Sequence, residues 1–215
     1  MNQKIEKHVM HMAEIHVAKV DQAMRRMGVS QYYMAGNCLN SEEVEDIDLF
    51  PVGEPDEKWN MADIGEILSV TDNARTYKVD GHIVQLCKYA YNTLPRLVCS
   101  FDFAHIQCGV HVVEGEVVEL FVTTEYLLAQ TEKDSWYVSS DYPLASLMRI
   151  LKYHRRGQIS EVKAKQSIYH MLADIARRGY LDADDFIEQA NGVDPRDDED
   201  EVENAWEYYE AMMER

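Results

Sequence analysis

Apolar positions fall into two regimes along the chain, alternating and helical spacing mixed up to about residue 124 and helical spacing alone beyond it. Ile5, Val9, Met12, Val20, Met24 and Met27 recur at near-helical intervals before Gly28, which predicts a helix over 3–27. A strand follows at Gln31 to Ala35, then a Gly36-Asn37 turn, a polar stretch, and a strand from Asp46 to Val52 that Gly53-Glu54-Pro55 breaks. A short helix is expected from Met61 to Leu68. Residues 75–79 and 82–88 read as a hairpin joined by Asp80-Gly81, a strong tight-turn signal. The apolar run Leu97 to Phe103 reads as a further strand, and Glu114-Gly115-Glu116 joins a second hairpin, Val110–Val113 with Val117–Val122. Helices are expected over 124–131, 143–156, 160–177, 182–190 and 198–213, with Gly157, Gly179 and Gly192 as punctuation. No internal repeat is visible. The fold class is therefore α/β (α+β), with an N-terminal mixed-sheet core over 1–135 and a helical C-terminal region over 136–215.

Composition narrows this picture. With 46% hydrophobic and 28% charged residues, the 215-residue chain has the balance of a soluble globular protein with a real core. No apolar run approaches the roughly 20 residues of a membrane span, and the N-terminus lacks the apolar core and cleavage site of a signal peptide. Cys38, Cys87, Cys99 and Cys108 show no CxxC spacing, so buried reduced thiols and a cytoplasmic location are expected. The net charge of −18 argues against broad nonspecific nucleic-acid binding, which needs a basic surface. Part of that charge is the run Asp197-Asp198-Glu199-Asp200-Glu201, which reads as a solvated helix start.

The candidate chemistry begins with Asp46-Ile47-Asp48. In a strand, residues i and i+2 share a face, so Asp46 and Asp48 project together while Ile47 and Leu49 turn to the core. Asp102 lies between Phe101 and Phe103 in the run read as a neighbouring strand, where a lone carboxylate would be costly. Three clustered carboxylates repel one another without a cation, and an oxygen-only donor set suits magnesium. A second cluster, Arg149, Lys152, Arg155 and Arg156, sits in the helix expected over 143–156. Arg149, Lys152 and Arg156 share a face, with Leu144, Leu147, Met148 and Leu151 as a separate apolar stripe. Such a patch in an acidic chain would focus an anion into one cleft. His8, His11 and His16 lack a zinc-ligand pattern and read as surface or packing residues, and His105 and His111 as packing. Asn73, ahead of the first hairpin, fits a turn. Trp59, Trp136, Tyr137 and the Trp206-Tyr208-Tyr209 group read as packing residues.

Gly36-Asn37, then Asp46-Ile47-Asp48-Leu49, then Asp102 resemble the core pattern of the DNA polymerase β-like nucleotidyltransferase superfamily: a strand ending in a Gly turn, roughly ten residues, an acid-x-acid pair, and a later acid. Thr71 to Thr76, Val84-Gln85-Leu86 leading to Ser100-Phe101-Asp102-Phe103, and Tyr142 to Leu147 continuing to Lys152-Tyr153 resemble nucleotidyltransferase-like proteins of bacteriophages. The resemblance covers roughly residues 1–157 and implies a host-cytoplasmic, ATP- or other NTP-using transferase. It implies a two-metal mechanism with Mg2+ (or Mn2+) held by Asp46, Asp48 and Asp102. Gly36 and Asn37, which stands where the superfamily usually has Ser, would meet the β- and γ-phosphates, and Arg149 and Lys152 would clamp the triphosphate. The expected reaction moves NMP from an NTP to an acceptor hydroxyl on an RNA 3′ end, a protein or a small molecule. Two other readings remain open: a non-catalytic nucleotide-binding or protein-interaction module on the same fold, and a structural α/β domain with coincidental acids.

Overall fold

The computed structural model describes residues 2–52, 65–71, 74–88, 91–179 and 183–190, of which 188–190 are described by backbone only. The Gly53-Glu54-Pro55 breaker, Trp59, Asn73, Gly192, the 197–201 acid run, the expected helix over 198–213 and the Trp206 to Tyr209 aromatics lie outside the described residues. The chain forms two compact units, Met1–Ser135 and Trp136–Arg215.

The first unit is an α+β layer structure. Helix α1 (Asn2–Arg26) is followed by strands β1 (Gln31–Ala35), β2 (Ile47–Pro51), β3 (Glu66–Val70), β4 (Ala74–Val79) and β5 (His82–Cys87). Helix α2 (Leu94–Cys99), strands β6 (Cys108–Val113) and β7 (Glu116–Val122), and helix α3 (Thr124–Glu132) complete it. The strands make one mixed sheet in the order β3-β4-β5-β2-β1-β6-β7. Among these ladders only β2 with β5 is parallel; the others are antiparallel. Both expected hairpins are present. Asp80-Gly81 and Glu114-Gly115 supply two consecutive positive φ angles each, the geometry that continues the twist of the flanking strands.

Period-two alternation sorts side chains to the two faces. Tyr32 and Met34 of β1, Ile47 and Leu49 of β2, Val84 and Leu86 of β5, and Val110 and Val112 of β6 turn to one side. There they bury against Val9, Ala13, Val17, Val20 and Met24, the apolar stripe of α1. On the other side Tyr33, Ala35 and Phe50 pack with Leu94, Leu97 and Val98 of α2. The helix comes very near the sheet at β6. A methyl group on Gly109 would lie 2.7 Å from Val98 Cγ2, 2.9 Å from Leu94 Cδ1 and 3.2 Å from Ala35 Cβ.

Two expected elements differ. The described part of the helix read over 61–68 belongs instead to β3, an edge strand exposed along its whole length. The run Leu97 to Phe103 is not a strand, and its first part ends helix α2. Thr93 caps that helix through its side-chain oxygen, which accepts from the Arg96 N–H, and Pro95 stands in the first turn, where its missing N–H costs nothing. Leu94, Leu97 and Val98 then fall on one helical face, a spacing that a short apolar run does not distinguish from a buried strand.

The second unit contains α4 (Pro143–Arg155), α5 (Glu161–Arg178) and α6 (Ala183–Ala190). Ser160 caps α5, its oxygen accepting from Lys163 N–H at 3.3 Å. Tyr137 N–H donates to Ser167 Oγ at 2.9 Å and its phenol to Asp174 Oδ2 at 2.8 Å, which pins residues before α4 onto α5. The apolar stripe expected on α4 is corrected in part. Leu144, Ile150 and Tyr153 are buried, with Pro143 and Ser146 completing the face, whereas Met148 and Leu151 are 67% and 55% exposed. Positions 148 and 151 lie beside 149 and 152, so they share the solvent side with the basic residues.

Candidate active site

The acid pair sits at the start of β2. Ile47 and Leu49 are buried, and Asp48 between them projects to the opposite face, half-buried. Asp46 is also half-buried and precedes the first residue of the strand. The carboxylates impose a local negative field. Burial pushes the thiols of Cys38 and Cys87 up from their ordinary pKa, and the charges of Asp48 and Asp46 push both further in the same direction. The thiols are therefore neutral neighbours of the acids, and all four cysteines are free, Cys38 and Cys108 buried as expected but Cys87 and Cys99 only half-buried.

Gly36 closes β1 beside this pair. Its φ of 89° and ψ of −149° belong to a region only glycine enters without strain. A methyl group there would lie 3.9 Å from Asp48 Oδ2 and 3.8 Å from Phe101 Cζ, so the turn, an acid and the residue before Asp102 meet at one point. The Gly36 N–H donates to the Cys108 carbonyl at 2.9 Å and is spent inside the sheet. Any close backbone approach that glycine permits thus belongs to the 3-10 turn that follows, Asn37–Asn40.

Asn40 fixes that turn with its whole amide. Its Nδ2 donates to Asn37 Oδ1 at 3.3 Å and to the His105 carbonyl at 2.9 Å, and its Oδ1 accepts from Tyr126 Oη at 2.9 Å and Gln130 Nε2 at 3.0 Å. His16, buried on α1, reaches the Ser41 carbonyl at 2.9 Å just beyond. His8 lies at the surface against the Asn40 carbonyl, so both histidines serve the scaffold as expected.

Asp102 follows α2 in a bend, 2% exposed, and not in a strand neighbouring β2. The bend is held from three sides. Gln107, fully buried, donates to the Phe101 carbonyl at 2.8 Å and accepts from the Thr123 hydroxyl at 2.9 Å. Asn40 holds the His105 carbonyl. His105 N–H donates to Ser135 Oγ at 3.1 Å, and the ring Nδ1 lies 2.7 Å from the same oxygen. Among the described residues no three His, Cys, Asp or Glu side chains group as a ready-made metal cage. Magnesium characteristically takes one or two carboxylates and completes its shell from water and substrate phosphates, a requirement that Asp46 and Asp48 fit.

Burial lowers the pKa of His105 from 6.5 to about 4. A group whose folded pKa is depressed keeps its full contribution above the unfolded pKa, near 6.5, and loses it as pH falls toward the folded value. Between pH 7 and pH 5 the wild type should lose about 2 kcal/mol more stability than His105→Gln, read as urea midpoints of the two proteins. Equal losses in the two would show that the ring titrates as it does in water.

Several residues of this neighbourhood escaped sequence reasoning. Asn40 and Gln107 carry no motif. The register also lays Asp48, Gln85, Thr76 and Ser69 side by side across four strands, β2, β5, β4 and β3. The alternation in His82 to Cys87 shows that Gln85 opposes Val84 and Leu86. Which strand lies next to β2 is a tertiary fact. Arg75, paired with Leu86, belongs to the α1 side of β4, the side opposite Asp48. Arg149, Lys152, Arg155 and Arg156 are exposed on the second unit.

No helix among the described residues is long and apolar enough to cross a membrane. No protein-family model matches the chain, and no curated protein matches it by sequence. Solved structures do. A CCA-adding enzyme in complex with ATP superimposes with a TM-score of 0.55 at 16% identity, over 82% of this chain and 46% of that one. A CCA-adding enzyme in an apo form gives 0.52 at 14% identity, over 81% of this chain and 45% of that one. The chain thus spans less than half the length of these proteins, and the likeness is one of fold. This chain has a nucleotidyltransferase-like fold, of the kind seen in CCA-adding enzymes.

Proposed function

We propose that the protein is a divalent-metal-dependent nucleotidyltransferase that moves NMP from an NTP to an acceptor hydroxyl. The observation that carries this reading is the meeting of the Gly36 turn with the Asp48 carboxylate, 3.9 Å from where a side chain on Gly36 would begin. A glycine in a conformation closed to other residues, set against a half-buried acid, is a juxtaposition that suits a triphosphate with its bound cation. The fold shared with a CCA-adding enzyme that binds ATP supports it.

Asp46 and Asp48 would hold Mg2+ or Mn2+, with Asp102 as the third acid. Bound there, the cations would supply charge stabilisation at the α-phosphate and at the departing pyrophosphate. The chain's own residues do the positioning. Gly36 and Asn37 admit the β- and γ-phosphates, and the Asn40 and Gln107 hydrogen bonds hold the turn and the Asp102 bend in place. The acceptor hydroxyl gives up its proton to solvent as its oxygen bonds to the α-phosphorus, the bond from that phosphorus to the α–β bridging oxygen breaks, and pyrophosphate leaves. Arg149 and Lys152 are proposed as phosphate contacts on charge. The acceptor we favour is a hydroxyl met one terminus or one small molecule at a time, because the net charge of −18 opposes long polyanions.

The test is incubation with each labelled NTP and Mg2+ or Mn2+, with and without total RNA and protein extract, beside Asp46→Ala/Asp48→Ala. Label transfer lost in the double variant supports the mechanism. Transfer that survives it rejects the metal role, and NTP-dependent stabilisation without any transfer favours a nucleotide-binding module.

A further inference from the structure

Sequence alone placed the third carboxylate on a strand neighbouring the acid pair, and the structure puts a different residue there. The strand beside β2 is β5, and the residue in register with Asp48 is Gln85. Its face is fixed by its neighbours. Val84 and Leu86 are 4% and 3% exposed and pair with Ile47 and Leu49, at 1% and 0%, in the core beneath. Alternation therefore sends Asp48 and Gln85 together to the opposite face, both half-buried, on strands about 4.8 Å apart. An ion held at about 2.1 Å from its oxygen donors lies within reach of both side chains.

We propose that Gln85 occupies a ligand position beside Asp48, so that this chain offers its divalent cation a neutral amide oxygen where a carboxylate would bind it more tightly. The assignment rests on the proposed function for the identity of the cation and on the sheet register for its place. An amide carbonyl is an acceptable oxygen donor but brings no charge, and charge count tunes divalent affinity. The consequence is a weak site in the protein alone, completed when the oxygens of a nucleotide's phosphates supply the missing negative charge. The same row continues through Thr76 and Ser69, uncharged hydrogen-bonding side chains along which a hydroxyl-bearing substrate could lie.

The probe is Mn2+ alone, titrated by electron paramagnetic resonance into the wild type, Gln85→Glu, and Gln85→Glu combined with Asp48→Asn. Gln85→Glu should bind Mn2+ about tenfold or more tightly than the wild type, and the gain should disappear when Asp48→Asn is added. Unchanged affinity in Gln85→Glu, or a gain that persists without the Asp48 carboxylate, overturns the assignment. Without metal, Gln85→Glu should melt below the wild type, because two carboxylates then face each other, and Mn2+ should restore it. If the metal-free Gln85→Glu protein does not fold, Gln85→Asp serves in its place, with a smaller gain of the same Asp48 dependence expected and its absence counting against the assignment. No nucleotide enters this titration. A tightened, Asp48-dependent site in a protein that transfers no label would keep Gln85 as a ligand and remove the transferase reading, whereas transfer with no gain in Gln85→Glu would do the reverse.

Discussion

Asp48→Asn is expected to reduce label transfer by about 100- to 1000-fold while leaving the fold intact, the range seen when one preorganised electrostatic group is removed from an active site. The substitution keeps the size, removes the charge and turns one acceptor oxygen into an NH2 donor. Ile47 and Leu49 on the buried face of β2 are untouched, and so is the ladder to β1 and β5. Stability measured without metal should therefore change little, with relief of repulsion from Asp46 acting in the stabilising direction. The second readout is the stabilisation that NTP and Mg2+ give together. A wild-type protein at about 100 times its dissociation constant gains about 2.7 kcal/mol from ligand, and Asp48→Asn should lose that gain. A variant that transferred label at the wild-type rate would place the cation elsewhere.

Gly109→Ala should cost about 1–3 kcal/mol, the ordinary penalty for inserting a methyl into a packed core. The new carbon would come within 2.7 Å of Val98 Cγ2 and 3.2 Å of Ala35 Cβ. Val98 and Leu94 can yield by turning their side chains or by moving with α2, but Ala35 has no rotamer to change, so strain passes to the backbone of β1 as well as to α2. That helix leads directly into the Phe101 and Asp102 bend, and Ala35 precedes Gly36. The variant should thus show both a lower urea midpoint and a raised KM for NTP. A protein with wild-type stability and kinetics would mean that α2 has room to shift.

The pattern of apolar positions carried the fold where an element buries one face: β5 alternates from Ile83 to Cys87 and α1 presents a single stripe to the sheet. The central strands β1 and β2 are instead apolar on both faces, and their bounds were legible from the Gly36-Asn37 turn between them. Leu97 to Phe103 misled because its apolar residues are contiguous. The deciding signals were Thr93 and Pro95 upstream, which set a helix start ahead of the run. In the candidate site, Asp46, Asp48 and Gly36 stood out in the sequence as candidates, and the fold brings Gly36 against Asp48. Asn40 and Gln107 did not stand out, since an amide hub is defined by the groups it meets, and Asn40 meets His105 and Tyr126 far along the chain while Gln107 meets Thr123 from beyond the next strands. Gln85 stood in plain view as a polar residue among apolar ones. Only the strand order gives it a neighbour.

The one parallel ladder among the described strands also has a kinetic meaning. The hairpins β4–β5 and β6–β7 close turns of two residues and can form within about 1–10 μs. The β2–β5 ladder joins Ile47 to Val84, and the β1–β6 ladder joins Gln31 to Val113, so both must close long loops before any contact rewards them. Asp48 meets Gln85 across the first of these junctions, and Gly36 meets Cys108 at the end of the second. The candidate site therefore lies where strands far apart in sequence meet, and its geometry is complete only once those long loops have closed.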